Sequence, residues 1–333
     1  MPFSRGAAAS PFDMFTNFAL LILGFLLLIK GARYLVDGAS SVARRLGVSG
    51  LTIGLTIVAF GTSAPELVVN IFAALKGASD IAIGNVLGSN ISNIFLVLGI
   101  AALVRPLTAQ SGTIWKEIPM GILAVLVVGV LVNDQLIDNQ MFSALTRIDG
   151  LVLIAFFAIF IYYVFGISKV RATDQFNVRV EIFPIGKSIS MTVLGILGLA
   201  LGGHWIITSA SALARGLQVS EAVIGLSVVA LGTSLPELAT SAIAAYKKDI
   251  DIAIGNVVGS NIFNIFWVLG LSAVIRPLSF SDELLIDLVV AFVAAAALFT
   301  VMMVGRKRHT LERREGIAFI LIYIFYIISL SFR

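Results

Sequence analysis

Cysteine is absent from this chain of 333 residues, histidine occurs only twice, and charged residues make up only 13% of the sequence. Without cysteine the protein can form no disulfide, thiolate-bound zinc site or iron–sulfur cluster, and it has no cysteine nucleophile. The two histidines and the lack of an HExxH motif give no basis for a catalytic metal or a Ser/His/Asp triad. We therefore expect neither an enzyme nor a cofactor. Soluble domains carry about 25% charged residues, which excludes an ordinary soluble protein.

Apolar residues dominate instead, at 59% of the sequence, and the mean hydropathy is +1.02. Because a helix needs about 20 mostly apolar residues to cross a bilayer, this composition predicts an all-α polytopic membrane protein. The net charge of +4 indicates basic loops that face anionic lipid rather than nucleic acid, and no protein partner is implied. Ten transmembrane helices are predicted, at 16–37, 48–75, 81–104, 114–133, 148–166, 187–209, 219–246, 252–275, 284–304 and 316–331.

The sequence also contains a long internal repeat. Residues 49–107 align with residues 220–278 without a gap, and 36 of the 59 pairs are identical. This similarity indicates a duplication. Each half holds five predicted spans, and an odd number makes the second half enter the membrane from the opposite side. The sequence therefore predicts two inverted five-helix repeats, an arrangement typical of secondary transporters. The predicted organisation is a tail (1–15), the first repeat (16–167), a cytoplasmic linker (168–186) and the second repeat (187–333).

The distribution of lysine and arginine predicts the orientation of the chain. One set of loops and ends carries fifteen of these residues and the other carries six, if Lys30 and Arg33 within the first span are left out. The richer side is assigned to the cytoplasm. Both termini then lie outside, the 168–187 connection is cytoplasmic, and the protein is expected in the cell membrane. The first residues lack a long apolar core before a cleavage site, so they are interpreted as a short tail and not as a signal peptide.

Two glutamates, Glu66 and Glu237, occupy equivalent positions in the middle of the second and seventh spans. An ionised carboxylate at that depth costs at least ~2.5 kcal/mol. In an inverted repeat the two glutamates face each other across the pseudo-twofold axis, and no lysine or arginine lies at comparable depth near either motif. A bound cation would supply the missing positive charge. The alternative is a protonated, hydrogen-bonded structural pair.

Each glutamate follows a proline in the motif Gly-Thr-Ser-x-Pro-Glu, which predicts a break in the helix. Pro65 lacks an N–H and its ring clashes with the carbonyl one turn earlier, so the helix must kink near residues 61–63 and free backbone carbonyls. Thr62 precedes Glu66 by four residues and shares its helix face. Residues 232–237 repeat this arrangement. Carboxylate, carbonyl and hydroxyl oxygens are the ligands of Ca²⁺, which takes about 6–8 of them.

The third and eighth spans contain the related segments GNVLGSN (84–90) and GNVVGSN (255–261). Glycines four residues apart let helices approach closely. Ser89 and Asn93 are one turn apart, so both can point at the break beside the glutamate, and Ser260 and Asn264 repeat this spacing. Hydrogen bonding between helices is the alternative explanation for these hydroxyls and amides.

The doubled motifs resemble the alpha repeats of the cation/calcium antiporter superfamily, and most of all those of its prokaryotic sodium/calcium exchangers. The likeness covers nearly the whole chain in span count, inversion and orientation. It implies a secondary active antiporter that exchanges Na⁺ for Ca²⁺ by alternating access. It also implies that the ions bind between spans 2, 3, 7 and 8 while spans 1 and 6 slide across that core.

The resemblance assigns residues of this chain to the transported ions by motif position. The calcium ligands would be Glu66 and Glu237 with the backbone carbonyls of Thr62 and Thr233. The sodium sites and the lining of the site would comprise Ala59, Ser63, Ser89, Asn93, Ala230, Ser234, Ser260 and Asn264, together with the same two threonines.

One position departs from the family pattern, because several exchangers carry Asp where this chain has Asn264. Two carboxylates neutralise one Ca²⁺, and the hydroxyl and carbonyl oxygens offer more than two places for Na⁺. An electrogenic exchange of three Na⁺ for one Ca²⁺ is therefore expected, as a prediction that leans on the resemblance.

A proton/calcium exchanger, or an exchanger of another cation for Ca²⁺, is the nearest alternative. The proton-driven branch of the superfamily carries acids in its Gly-Asn segments, where this chain has Val86-Leu87 and Val257-Val258. A cation channel is a further alternative. Channels usually build a pore by oligomeric symmetry around an axis normal to the membrane, whereas an inverted repeat with a central acid pair favours alternating access.

Overall fold

The structure is a computed structural model that describes residues 11–137, 143–168, 182–216 and 230–330. Most of the predicted tail, most of the predicted linker and the first part of the predicted seventh span lie outside these residues. Residues 11–15 were included in the predicted tail, but the first helix already begins at Pro11.

Helices form nearly all of the described chain. In chain order they are α1 (Pro11–Leu46), α2 (Gly50–Thr62), α3 (Ala64–Lys76), α4 (Ser79–Val104), α5 (Thr113–Leu131), α6 (Asp134–Ile137), α7 (Arg147–Ser168), α8 (Ile185–Gly216), α9 (Ala230–Thr233), α10 (Leu235–Tyr246), α11 (Ile250–Ile275), α12 (Asp282–Val304) and α13 (Arg313–Leu330).

Among the described residues, four two-residue strands connect the ends of the helices in two antiparallel pairs. Strand β1 (Leu107–Thr108) pairs with β4 (Thr310–Leu311), and β2 (Ala144–Leu145) pairs with β3 (Leu278–Ser279). Each pair contains one strand from the first half of the chain and one from the second, so both pairs connect the two halves.

Within the part of the chain that the structure describes, seven helices are long and apolar enough to cross a membrane, namely α1, α4, α5, α7, α8, α11 and α12. Helices α2 and α3 together form an eighth apolar stretch, bent by 48° at a short break. Helix α13 begins with Arg313, Arg314 and Glu315, which shorten its apolar part. Within the described residues, the chain is therefore a helical membrane protein with many spans, and the count of ten stays a prediction.

Helices α4 and α11 occupy the centre of the molecule, and in both, 78% of the apolar stretch is buried. Each contains a wide π-helical turn, at Asn93–Leu98 in α4 and at Asn264–Leu269 in α11. Such turns occur mostly as single insertions in α-helices and frequently at functional sites. Both begin at an asparagine that the sequence marks as a candidate for the site.

Helices α1 and α8 pack against each other with their backbones in contact. A Cβ atom added to Gly195 of α8 would lie 2.5 Å from the backbone nitrogen of Leu35 and 2.8 Å from the carbonyl oxygen of Gly31, both on α1. Only glycine allows this approach. The two helices are 36 and 32 residues long. Both exceed the predicted spans because the helix continues through polar residues beyond the apolar stretch, such as Arg44 and Arg45 in α1.

The end of α1 also contacts the turn between α10 and α11. The Nζ atom of Lys247 donates to Oδ1 of Asp37 at 2.5 Å, and the Ser40 hydroxyl donates to Oδ2 of Asp249 at 3.1 Å. The Asp37–Lys247 ion pair is partly exposed, with 37% and 25% of the side-chain surfaces accessible. One end of α1 is therefore tied to the rest of the bundle by charge as well as by packing.

Candidate cation-binding site

The site is built around two broken helices, one in each half of the chain. Helix α2 ends at Thr62 and α3 starts at Ala64, and likewise α9 ends at Thr233 and α10 starts at Leu235. The residues between them adopt nearly identical backbone angles, with φ −85° and ψ 7° at Ser63 and φ −87° and ψ 3° at Ser234. Proline lies in the first turn after each break, as the sequence predicts.

The two glutamates lie in the first turn of α3 and of α10, and both are completely buried. Their carboxyl groups are close enough to interact electrostatically. Among the described residues, no ion pair involves either carboxylate. The start of a helix favours negative charge, but only by about 0.3–1 kcal/mol in exposed positions, which is small beside the cost of burying two carboxylates.

Hydroxyl groups from both halves surround Glu237. The Ser63 hydroxyl donates to Oε1 of Glu237 at 2.9 Å, and the Ser260 hydroxyl approaches the same oxygen at 3.4 Å. Thr62 lies 3.5 Å from Ser260, oxygen to oxygen. The first broken helix thus reaches the acid of the second. Ser89 lies beside the Glu66 carboxyl group.

Buried oxygen atoms without a hydrogen-bond partner are concentrated at this place. Within the described residues, seven such atoms belong to predicted site residues. An unpaired buried acceptor costs about 1–3 kcal/mol, so this concentration of buried oxygens fits a site that binds a cation or ordered water. They are Oε1 and Oε2 of Glu66, Oε2 of Glu237, Oγ of Ser89, Oγ of Ser234, Oδ1 of Asn93 and Oδ1 of Asn264.

Some of the residues predicted to line the site would contribute backbone carbonyl oxygens, and these positions differ in their surroundings. The carbonyl oxygen of Ala59 already accepts hydrogen bonds from the Ser63 N–H at 3.0 Å and the Thr62 hydroxyl at 3.3 Å. It is thus less free than the carboxylate oxygens. Ala230, its counterpart, is the first residue of α9, and Thr233 is buried at the end of that helix.

A cavity of about 360 Å³ extends to the site along one face of α4. It begins beside Asp80 and the last turn of α13, and its lining includes Ser89 and Thr233. Water and ions could therefore approach two of the predicted residues from the end of the bundle at which α4 starts.

The sequence motifs did not identify several amides that contribute to the site. Asn256 accepts from the Thr62 hydroxyl at 3.0 Å and donates to the hydroxyl of Ser241 at 3.0 Å. In the other half, Asn85 donates to Oδ1 of Asn70 at 2.6 Å. The available signal was the repeat itself, because positions 70/241 and 85/256 are polar in both halves of otherwise apolar segments.

Comparison with known proteins gives consistent matches. The sequence model of the sodium/calcium exchanger protein family matches residues 16–166 and 187–332. The chain is 41% identical to the putative antiporter CaxA of Alkalimonas amylolytica over 263 residues, which cover 77% of this chain and 80% of that protein. It is 32% identical to the sodium/calcium exchanger MaX1 of Methanosarcina acetivorans over 351 residues, covering 95% and 99% of the two chains.

A solved structure extends the similarity to three dimensions. The sodium-calcium exchanger NCX_Mj, soaked with Na⁺ and Sr²⁺, matches with a TM-score of 0.81 at 30% sequence identity. The match covers 95% of this chain and 99% of that one.

Proposed function

Since the chain belongs to the sodium/calcium exchanger family and thus to the cation/calcium antiporters, we propose that it exchanges Na⁺ for Ca²⁺ across the cell membrane. The observation that carries this proposal is the cluster of seven buried oxygens without partners around two buried glutamates. The ions are transported substrates, and the proposal includes no cofactor and no chemical reaction.

The charge of the site supports a divalent substrate. Glu66 and Glu237 together carry two negative charges when ionised, which one Ca²⁺ neutralises. The remaining oxygens come from hydroxyl and amide groups, so they add ligands without adding charge. Carboxylates that bind with both oxygens, together with these groups and the carbonyls of Thr62 and Thr233, reach the six to eight ligands that Ca²⁺ takes.

The proposed architecture has ten spans in two inverted repeats, and matched contacts between the halves support it. Gly99 packs against Gly316, and Gly270 packs against Gly150. The internal repeat aligns Gly99 with Gly270. In this architecture both termini face outward, and the two broken helices approach the central site from opposite sides of the membrane.

Alternating access is the proposed mechanism. Helices α1 and α8, which contact each other along their glycines, would move as one unit past the core that contains α4 and α11. Ca²⁺ leaves Glu66 and Glu237 on one side, and Na⁺ then binds the same carboxylates before the site returns. Two Na⁺ balance the glutamates, and a third bound by neutral oxygens would carry one net charge per cycle.

Flux measurement in proteoliposomes tests the function. An imposed Na⁺ gradient should drive ⁴⁵Ca²⁺ uptake in vesicles that contain the purified protein, and a pH gradient without Na⁺ should not. Uptake driven by pH alone would identify the proton/calcium exchanger instead, and passive Ca²⁺ flux without a counter-ion would identify a channel.

Membrane voltage tests the stoichiometry separately. When three Na⁺ exchange for one Ca²⁺, one charge crosses per cycle, worth about 2.3 kcal/mol per 100 mV. Clamping the potential with potassium and valinomycin should therefore change the Ca²⁺ flux, and an inside-negative potential should favour Na⁺ entering and Ca²⁺ leaving. A flux that ignores the clamped voltage would mean that two Na⁺ exchange for one Ca²⁺.

A further inference from the structure

Two asparagines outside the predicted ligand set join the central helices. Asn90 of α4 and Asn261 of α11 are equivalent in the repeat and contact each other reciprocally. The Nδ2 atom of Asn90 donates to the backbone carbonyl of Asn261 at 3.1 Å, and the Nδ2 atom of Asn261 donates to the backbone carbonyl of Asn90 at 3.2 Å. Both side chains are buried.

This contact fixes the orientation of both side-chain amides. A backbone carbonyl can only accept a hydrogen bond, so the group that faces it must be the NH₂ and not the amide oxygen. The Oδ1 atoms of Asn90 and Asn261 must then point in the other direction. There each of them can only accept, which determines the orientation of the next amide as well.

The next amides belong to the predicted site. Asn264 donates from Nδ2 to Oδ1 of Asn90 at 3.3 Å, and Asn93 donates from Nδ2 to Oδ1 of Asn261 at 3.0 Å. With their NH₂ groups held in this way, Asn93 and Asn264 expose the Oδ1 atoms. These are two of the seven buried oxygens without a partner.

We propose that Asn90 and Asn261 are positioning residues that turn the amide oxygens of Asn264 and Asn93 toward the transported cations. The inference rests on the proposed function, since it assigns an orientation to two of the ligands. Without the Asn90 acceptor, the Asn264 amide is free to flip and exchange the positions of its oxygen and nitrogen. It would then present its NH₂ group, whose positive end repels a cation.

The arrangement couples ligand orientation in each half to a residue of the other half. Asn90, from the first half, holds Asn264, and Asn261, from the second half, holds Asn93. The amides of Asn93 and Asn264 therefore keep these orientations only while α4 and α11 remain in contact. This explains why a pair of polar side chains occupies the interface of the two most buried helices.

A double-mutant cycle separates positioning from a merely structural role. Asn90→Ala should raise the KM for Na⁺ and Ca²⁺ roughly tenfold, the usual size of an effect exerted through a ligand's supporting residue. Asn264→Asp makes orientation irrelevant, since a carboxylate has two equivalent acceptor oxygens. In the Asn264→Asp background, Asn90→Ala should leave KM unchanged or lower KM. The alanine substitution removes Oδ1 of Asn90, which would otherwise face the new carboxylate.

Asn261→Ala with Asn93→Asp gives the same cycle in the other half. Ser92→Ala is the matched control, because Ser92 is buried in α4 but lies outside this network. Size-exclusion profiles and thermal unfolding of every variant report folding. A tenfold rise of KM in both backgrounds, or loss of folding in the single and double variants alike, would overturn the positioning role. Failure of the proposed function would appear separately, as wild-type protein that does not exchange Na⁺ for Ca²⁺.

Discussion

At the scale of residues, the two central acids are equivalent in sequence but not in their surroundings. Oε1 of Glu237 accepts a hydrogen bond from Ser63, whereas neither oxygen of Glu66 has a hydrogen-bond partner among the described residues. Sequence identity between repeats therefore does not impose identical contacts. The difference makes Glu66 the carboxylate with more free ligand positions in this state of the protein.

Glu66→Gln or Glu237→Gln should abolish Ca²⁺ exchange in proteoliposomes while the protein remains folded and inserted, because a single acid is left to balance a divalent cation. Glu117→Gln is the matched control. Glu117 is also buried, but it is bonded to Tyr163 outside the site, and an amide oxygen can accept that bond too. Normal exchange by either site variant would remove the acid pair from the mechanism.

Asp249 yields a prediction about pH. Burial raises the pKa of Asp249 above its ordinary value, although the Ser40 hydroxyl and the nearby Arg44 and Lys247 oppose the shift. The protonated form of Asp249 is therefore favoured more strongly in the folded than in the unfolded protein, so the stability should fall as the pH rises from the ordinary pKa of aspartate through the raised one. An asparagine side chain has no proton to lose in this range. The change D249N should therefore make the protein more stable than wild type at pH values above the raised pKa.

Thermal unfolding of detergent-solubilised protein at several pH values measures this effect. The unfolding temperatures of wild type and Asp249→Asn should converge as the pH is lowered and separate as it is raised. A constant difference over the whole range would show that ionisation of Asp249 has no part in stability.

At the scale of elements, the contact between α1 and α8 depends on the absence of side chains. Gly195→Leu should separate the two helices, since even a Cβ atom would lie within 3 Å of the α1 backbone. Overpacking of this kind costs roughly 1–3 kcal/mol and should lower both the unfolding temperature and the exchange rate. Gly186→Leu, in the first turn of the same helix, meets open space and serves as the control. Equal behaviour of the two variants would contradict the close contact.

Features of the helices could be predicted from the sequence where a single residue or its near neighbours determine them. Pro65 removes a donor and obstructs the preceding turn, so the break in the helix followed directly from its position. The extra length of α1 and α8 could not be predicted, because hydropathy ends with the apolar stretch although a helix can continue past Asp37. The π-helical turns at Asn93 and Asn264 were not predicted either, since neither hydropathy nor the position of a proline specifies where a helix widens.

Local and long-range features differ in the same way in the candidate site. The acids and hydroxyls within one motif could be predicted from their spacing along a single helix. The hydrogen bond from Thr62 to Asn256 joins residues 194 positions apart, and the bond from Asn264 to Asn90 spans 174 positions. Such pairs follow from the folded arrangement and not from the pattern of one segment.

At the scale of the whole molecule, orientation in the membrane can be tested directly, because the chain has no native cysteine. A cysteine introduced at Ser143 should react with an impermeant thiol reagent in intact cells. A cysteine at Asn177, in the predicted cytoplasmic linker and outside the described residues, should be protected until the cells are opened. The reverse labelling pattern would overturn the proposed topology, and labelling of both positions would exclude it too.

The ion pair between Asp37 and Lys247 makes the two ends of this duplicated molecule unequal. The register of the internal repeat places Lys247 on Lys76 but Asp37 on Thr208, so the lysine is repeated at the other end and the acid is not. A partly exposed pair contributes up to about 1 kcal/mol, which is a factor of about five between two populations. In the proposed alternating-access cycle, the Asp37–Lys247 pair would therefore favour the conformation in which these two residues are in contact, by up to this factor.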